Sequence, residues 1–163
     1  MSFARLATRE SLDDLQKFDM LNSKLIHPEI LQALAGSGHF SQVLIADGNY
    51  PLLSGTNPAT KRVFLNLAPG TVGALEVLEA ILSATPVQEA TTMTPPDDFH
   101  PDIHDEYKAM LGDGVQWTEM ERWSYYDKIK STDTTLAIAT GEQRRFANLL
   151  LTVGVVKLPE ESF

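Results

Sequence analysis

An α/β domain, with a central β-sheet flanked by helices in a single layered unit, is what this sequence predicts, and three observations predict it. Apolar runs of strand length, such as QVLIA at 42–46 and NLLLTVGVV at 148–156, alternate with stretches of helical apolar spacing. Turn signals built from Gly, Pro and Asp-Gly-Asn punctuate the alternation. The length of 163 residues suits one core, and the 43% apolar content is that of a globular chain.

Residues 1–19 read as an N-terminal extension. Phe3, Leu6, Leu12, Leu15 and Phe18 fall near helical spacing there and form a stripe that needs a docking surface. The domain proper is assigned to residues 20–163. Its first helix has Pro28 at an early position and Ile30, Leu31 and Leu34 on one face, and Gly36 and Gly38 stop it. Gln42–Ala46 is a buried strand ending at the turn Asp47-Gly48-Asn49. Arg62–Leu67 is a second strand, closed by Pro69-Gly70. Thr71 is the expected cap of a helix running to about Ala84, with Leu75, Leu78, Ile81 and Leu82 apolar. Val87–Met93 is a third strand and TPPDDFHP at 94–101 a loop. A helix over Ile103–Leu111 ends at Gly112. Thr118-Glu119-Met120-Glu121 has capping-box spacing and is expected to open a helix through about Lys130. Thr135–Thr140 and Asn148–Val156 complete the strands.

Bulk properties exclude several functions. A formal net charge of -9 repels phosphate backbones, so no nucleic-acid partner is expected. The absence of cysteine removes disulfides, thiolate metal sites and a cysteine nucleophile. No apolar run approaches the ~20 residues that span a bilayer, and the N-terminal segment has neither a signal peptide's apolar core nor a transit peptide's lack of acids. A soluble, cytoplasmic protein is therefore expected.

Four places carry side chains suited to chemistry. Gly38-His39 lies between a helix end and a strand. The small neighbour leaves room for a ligand and imidazole suits proton transfer near neutrality, although a capping or surface histidine fits the same pattern. Asp47 stands at the carboxyl end of an apolar strand, where α/β sheets collect ligands and where turn aspartates also occur. Arg122, Trp123, Tyr125 and Tyr126 share one short segment. Such aromatics stack on sugar C–H faces or pack into a core, and the arginine donates to hydroxyls. Phe146-Ala147-Asn148 enters the last strand, and the Asn148 amide can donate and accept at once, as a pair of sugar hydroxyls requires.

Two other motifs carry less. His100 and His104 are four apart among aspartates, but Pro101 starts the helix, so His100 falls at its cap and no metal site is expected. The segment Ala68–Gly73 precedes a helix but lacks a Walker lysine, which disfavours nucleotide binding.

In order and spacing, HPEILQALAGSGHFSQVLIADGNYP, then ERWSYYDKIK, then LAIATGEQRRFANLLLTVGV resemble the D-ribose pyranase / L-fucose mutarotase family from about Leu25 to about Lys157. The resemblance implies a cofactor-independent sugar mutarotase, an isomerase that exchanges anomers or ring forms of a free monosaccharide. It implies that His39 is the proton donor and that Asp47, Arg122 and Asn148 bind the sugar. Arginine at 122 is similar to fucose-type members more than to ribose-type members. The resemblance also implies a homo-oligomeric ring, often a decamer, with sites near subunit contacts.

Two positions depart from the family pattern. Phe146 stands where a tyrosine is usual, and Ser41 where an aspartate is usual. Tyr126 is the candidate to supply the missing phenol, with Phe146 forming a wall of the site. The departure at Phe146 also keeps open a second reading, a non-catalytic sugar-binding or transport-accessory protein on the same frame.

Overall fold

The computed structural model describes residues 23–156, so the stripe expected over residues 1–19 lies outside the described residues. In chain order the elements are α1 (Pro28–Gly36), β1 (Gln42–Ala46), β2 (Lys61–Phe64), α2 (Ala74–Leu82), β3 (Val87–Met93), α3 (Asp102–Leu111), β4 (Gln116–Met120), α4 (Arg122–Ile129), β5 (Thr134–Ala139) and β6 (Leu149–Val153). The six strands form one sheet in the order β2-β5-β1-β6-β3-β4. β5 pairs in parallel with both β1 and β2, and β3 pairs in parallel with β4. β6 runs antiparallel to both β1 and β3 and joins the two parallel groups.

Side-chain alternation along the strands divides the core in two. Val43, Ile45, Leu136, Ile138, Leu149 and Leu151 point to one face and pack with Ile30 of α1, Leu78 and Ile81 of α2, and Ile103 and Tyr107 of α3. Leu44, Ala46, Ala137 and Leu150 point to the other and pack with Tyr125 and Ile129 of α4 and with Tyr50 and Leu52. The central strands are buried on both faces, which is why they read as unbroken apolar runs. Burying each Leu or Ile side chain contributes about 1.5–3 kcal/mol.

Two expectations are corrected. Gln116–Met120 is an edge strand, so the Thr118–Glu121 spacing does not form a capping box. Pairing with β3, in the register Met93↔Met120, outweighs the local helix-start pattern. Glu121 caps α4 by itself, its carboxylate accepting from the Trp123 and Ser124 N–H groups. The helix expected from Thr71 starts at Ala74 instead, because Glu76 reaches back to the Gly73 N–H at 2.6 Å and fixes the first turn there.

One glycine sets how the loops meet at the carboxyl ends of β1 and β5. A Cβ on Gly141 would lie 2.5 Å from the Ala68 carbonyl, so only glycine lets the β5–β6 loop pack on the loop before α2.

Candidate functional site

The antiparallel register builds the site. Ile45 of β1 pairs with Leu149 of β6, so the residue after β1 and the residue before β6 meet at one edge of the sheet. Those residues are Asp47 and Asn148, only 5% and 4% exposed. The Asn148 Nδ2–H donates to Asp47 Oδ2 at 3.0 Å, and Asn148 Oδ1 accepts from the Asp47 N–H at 2.9 Å. The Asn49 N–H donates to Asp47 Oδ1 at 2.9 Å. Burial pushes the Asp47 carboxyl above its ordinary range, while the hydrogen bonds from Asn49, Tyr50 and Asn148 act in the opposite sense.

β3 also delivers its carboxyl end to this edge, placing Met93 and Pro96 there, and α4 starts beside them. Together they enclose a cavity of about 300 Å³ whose walls include Asp47, Arg122, Tyr126, Phe146 and Asn148. Five of the six residues singled out from sequence therefore line one pocket. Tyr126 is stacked on Tyr50, with ring centroids 5.3 Å apart. A larger cavity of about 470 Å³ adjoins it across Asn49, lined by Asn66, Leu67, Thr140 and Gln143. Its one carboxylate, Glu142, is taken up by Arg144 at 2.9 Å, which holds that carboxyl below its ordinary range. The smaller cavity is the better chemical site because it combines a buried carboxylate, an amide, an arginine and aromatic walls.

His39 is elsewhere. It precedes β1, whereas the pocket follows β1, and the five residues of that strand separate the two by roughly 16 Å. The His39 Nε2 is paired with Gln88 Oε1 at 2.8 Å, and its ring stacks on Phe40 with centroids 3.8 Å apart. Phe40 is 62% exposed, and Val155 and Val156 are exposed on the segment after β6.

Sequence reasoning missed Asn49, Tyr50 and Arg145, which also line the pocket. Asn49 and Tyr50 were reachable through their place in the turn after β1. Nothing in the sequence marks the conformation of Phe146, whose φ of 61° is left-handed and costs about 1 kcal/mol or more for a residue with a Cβ. Among the described residues, no three His, Asp or Glu side chains are grouped to hold a metal ion, and no helix is long and apolar enough to cross a membrane.

A model of the RbsD / FucU transport protein family matches residues 20–156. The chain belongs to that family. Within the RbsD / FucU family, a D-ribose pyranase of Clostridium perfringens is 28% identical over 84% of this chain and 99% of its own length. A fucose mutarotase of Danio rerio is 28% identical over 84% of this chain and 93% of its own. The crystal structure of the Streptococcus pneumoniae fucose mutarotase in complex with L-fucose superposes with a TM-score of 0.69, at 29% identity, over 81% of this chain and 95% of that one. Family members with those names are sugar mutarotases, and the six-stranded mixed sheet is the RbsD / FucU fold.

Proposed function

We propose that this protein is a cofactor-independent mutarotase of a free aldose, fucose-type rather than ribose-type. The observation that carries the reading is the Asp47–Asn148 pair, buried and doubly hydrogen-bonded, in a cavity of monosaccharide scale beside Arg122. The relatives named as pyranase and mutarotase give the reaction class. Arg122 favours a fucose-like substrate.

The reaction requires two proton movements and no redox change. The anomeric hydroxyl loses a proton to solvent water, the ring oxygen gains one from an acid, and the bond between C1 and the ring oxygen breaks to leave the open-chain aldehyde. Rotation about the C1–C2 bond and reclosure give the other anomer or ring form. Acid–base assistance of about 10²–10⁴-fold is all this chemistry asks. Asp47, made more basic by burial, orients the sugar through a hydroxyl. Arg122 and Asn148 donate to other hydroxyls, Phe146 walls one ring face, and Tyr126 offers a phenol. His39 supplies the proton to the ring oxygen from a second copy of the chain, since its own pocket is a strand length away. The exposed apolar side chains around it, Phe40, Val155 and Val156, suit a contact between copies in a homo-oligomeric ring.

The second reading, a non-catalytic sugar-binding or transport-accessory protein, is favoured by Phe146 standing where a phenol is expected. Saturation-difference NMR on ribose, fucose, galactose and glucose separates the two. Acceleration of exchange, unchanged by a chelator, is expected. Binding without acceleration for all four would establish the second reading.

A further inference from the structure

Helix α3 holds the loop that carries three of the pocket residues, Arg145, Phe146 and Asn148, and it does so at three points. Glu106 Oε1 accepts from Arg144 Nη1 at 2.7 Å. His104 Nε2 lies 2.8 Å from the Phe146 carbonyl oxygen, so that nitrogen bears the hydrogen. The Tyr107 hydroxyl donates to the Ala147 carbonyl at 2.8 Å. His104 and Tyr107 are three residues apart and share a helix face. In extended chain, successive carbonyls point in opposite directions. At the left-handed Phe146 the chain nonetheless presents two consecutive carbonyls, those of Phe146 and Ala147, to the same helix. Both side chains are buried, His104 at 2% exposure and Tyr107 at 0%, and the His104 ring is braced edge-on by Trp117 at 5.3 Å.

We infer that His104 and Tyr107 are positioning residues of the pocket, fixing the backbone from which the Phe146 ring and the Asn148 amide enter it. Neither touches the cavity. They act through the conformation of residues 146–148, and Asn148 in turn holds Asp47. The two donors hold the left-handed turn at Phe146 from its carbonyl side, beside the Arg144–Glu106 pair and the Phe99 ring. Without them the chain would relax toward ordinary dihedrals and carry the aromatic wall and the amide out of place. The same two donors satisfy carbonyls that would otherwise be buried without partners.

The inference rests on the mutarotase reading only for its rate measurement, and a second measurement is independent of activity. In His104→Leu and in Tyr107→Phe, KM for the aldose is expected to rise about tenfold while kcat changes less, because the groups displaced are binding groups. His104→Gln, whose amide can donate to the Phe146 carbonyl, is expected to stay within about threefold of the parent. In a double-mutant cycle, Tyr107→Phe combined with Asn148→Ala should lose no more than Asn148→Ala alone, since both act on the same amide. A purely structural role would instead lower the melting temperature, leave KM of the folded protein unchanged and add in the cycle. Independently of turnover, hydrogen exchange of the amides of residues 143–148 should accelerate in both variants, with β1 unaffected. If His104→Leu does not fold, Tyr107→Phe, which keeps the ring and loses one hydroxyl, carries the test. Folded variants with parental KM and parental loop exchange would overturn the inference. If the parent exchanges no aldose, the mutarotase reading fails, and the loop exchange alone decides on the positioning role.

Discussion

Asn148 holds Asp47 from two sides, donating to its carboxylate at 3.0 Å and accepting from its backbone N–H at 2.9 Å. Truncating it removes a proposed sugar ligand and strands two buried polar groups at once. Asn148→Ala is expected to lower exchange by about tenfold or more and to cost about 1–3 kcal/mol of stability, the usual penalty for a buried group left unpaired. Denaturant melts and exchange rates on the same preparation check both. Loss of activity with parental stability would mean that the Asp47–Asn148 pair contributes nothing to the folded state.

His39 and Asp47 lie beyond opposite ends of β1, so each can be disabled separately. His39→Ala is expected to lower exchange by about 10²-fold or more, the scale of losing an acid, and Asp47→Asn by about tenfold or more, the scale of losing a charged hydrogen-bond partner of the sugar. If His39 serves a neighbouring copy's pocket, unfolding the two variants together and refolding the mixture should restore part of the activity. Hybrid assemblies would then contain sites with both residues intact. A mixture no more active than its parts would remove His39 from the chemistry of another subunit.

On the mutarotase reading, Tyr126 supplies the missing phenol and Phe146 only a wall of the pocket. Tyr126→Phe is expected to reduce exchange by about tenfold, since a hydrogen bond to developing charge contributes about 1.5–3 kcal/mol. Phe146→Tyr in that background should restore part of the loss. A silent Tyr126→Phe, together with activity that first arises in Phe146→Tyr, would favour the sugar-binding reading.

Burial holds the His104 imidazole below the usual 6.5. The unfolded chain therefore takes up a proton at this position as pH falls through 6.5, and the folded protein only at lower pH. In that window the unfolded state binds more protons, so the contribution of neutral His104 is fully present above 6.5 and declines as pH falls toward the depressed value. Glu119, Lys108 and His100 also act on this ring, with smaller effects than burial. Urea unfolding at about pH 8 and about pH 5 should show a smaller acid-side loss for His104→Gln than for the parent. Equal losses would mean that His104 does not resist protonation.

Much of the sheet was legible because β1, β3, β5 and β6 lie in strong apolar runs or in β-prone segments between turn signals. β4 was not, because an edge strand is only half buried, and its residues also satisfy a helix-start pattern. The pocket residues were found because strand ends and an aromatic helix carry recognisable side chains. His39 was grouped with them by the family resemblance, and within one chain the length of β1 separates it from them. His104 and Tyr107 were undervalued because their partners are backbone carbonyls 42 and 40 residues away. No residue pattern encodes an acceptor that every residue possesses.

The place of β6 governs when this protein can exist as a folded body. During synthesis, a nascent chain that has emerged through Ala139 contains both parallel groups, β2-β5-β1 and β3-β4, yet has no strand to join them. The inner edges of β1 and β3 stay open until residues 149–153 leave the ribosome and insert between them. Folding therefore waits on contacts of long sequence separation, which makes it slow and exposes unpaired apolar edges in the interval. The pocket's Asp47–Asn148 pair arises in the same event, because Asn148 meets Asp47 only when that insertion takes place.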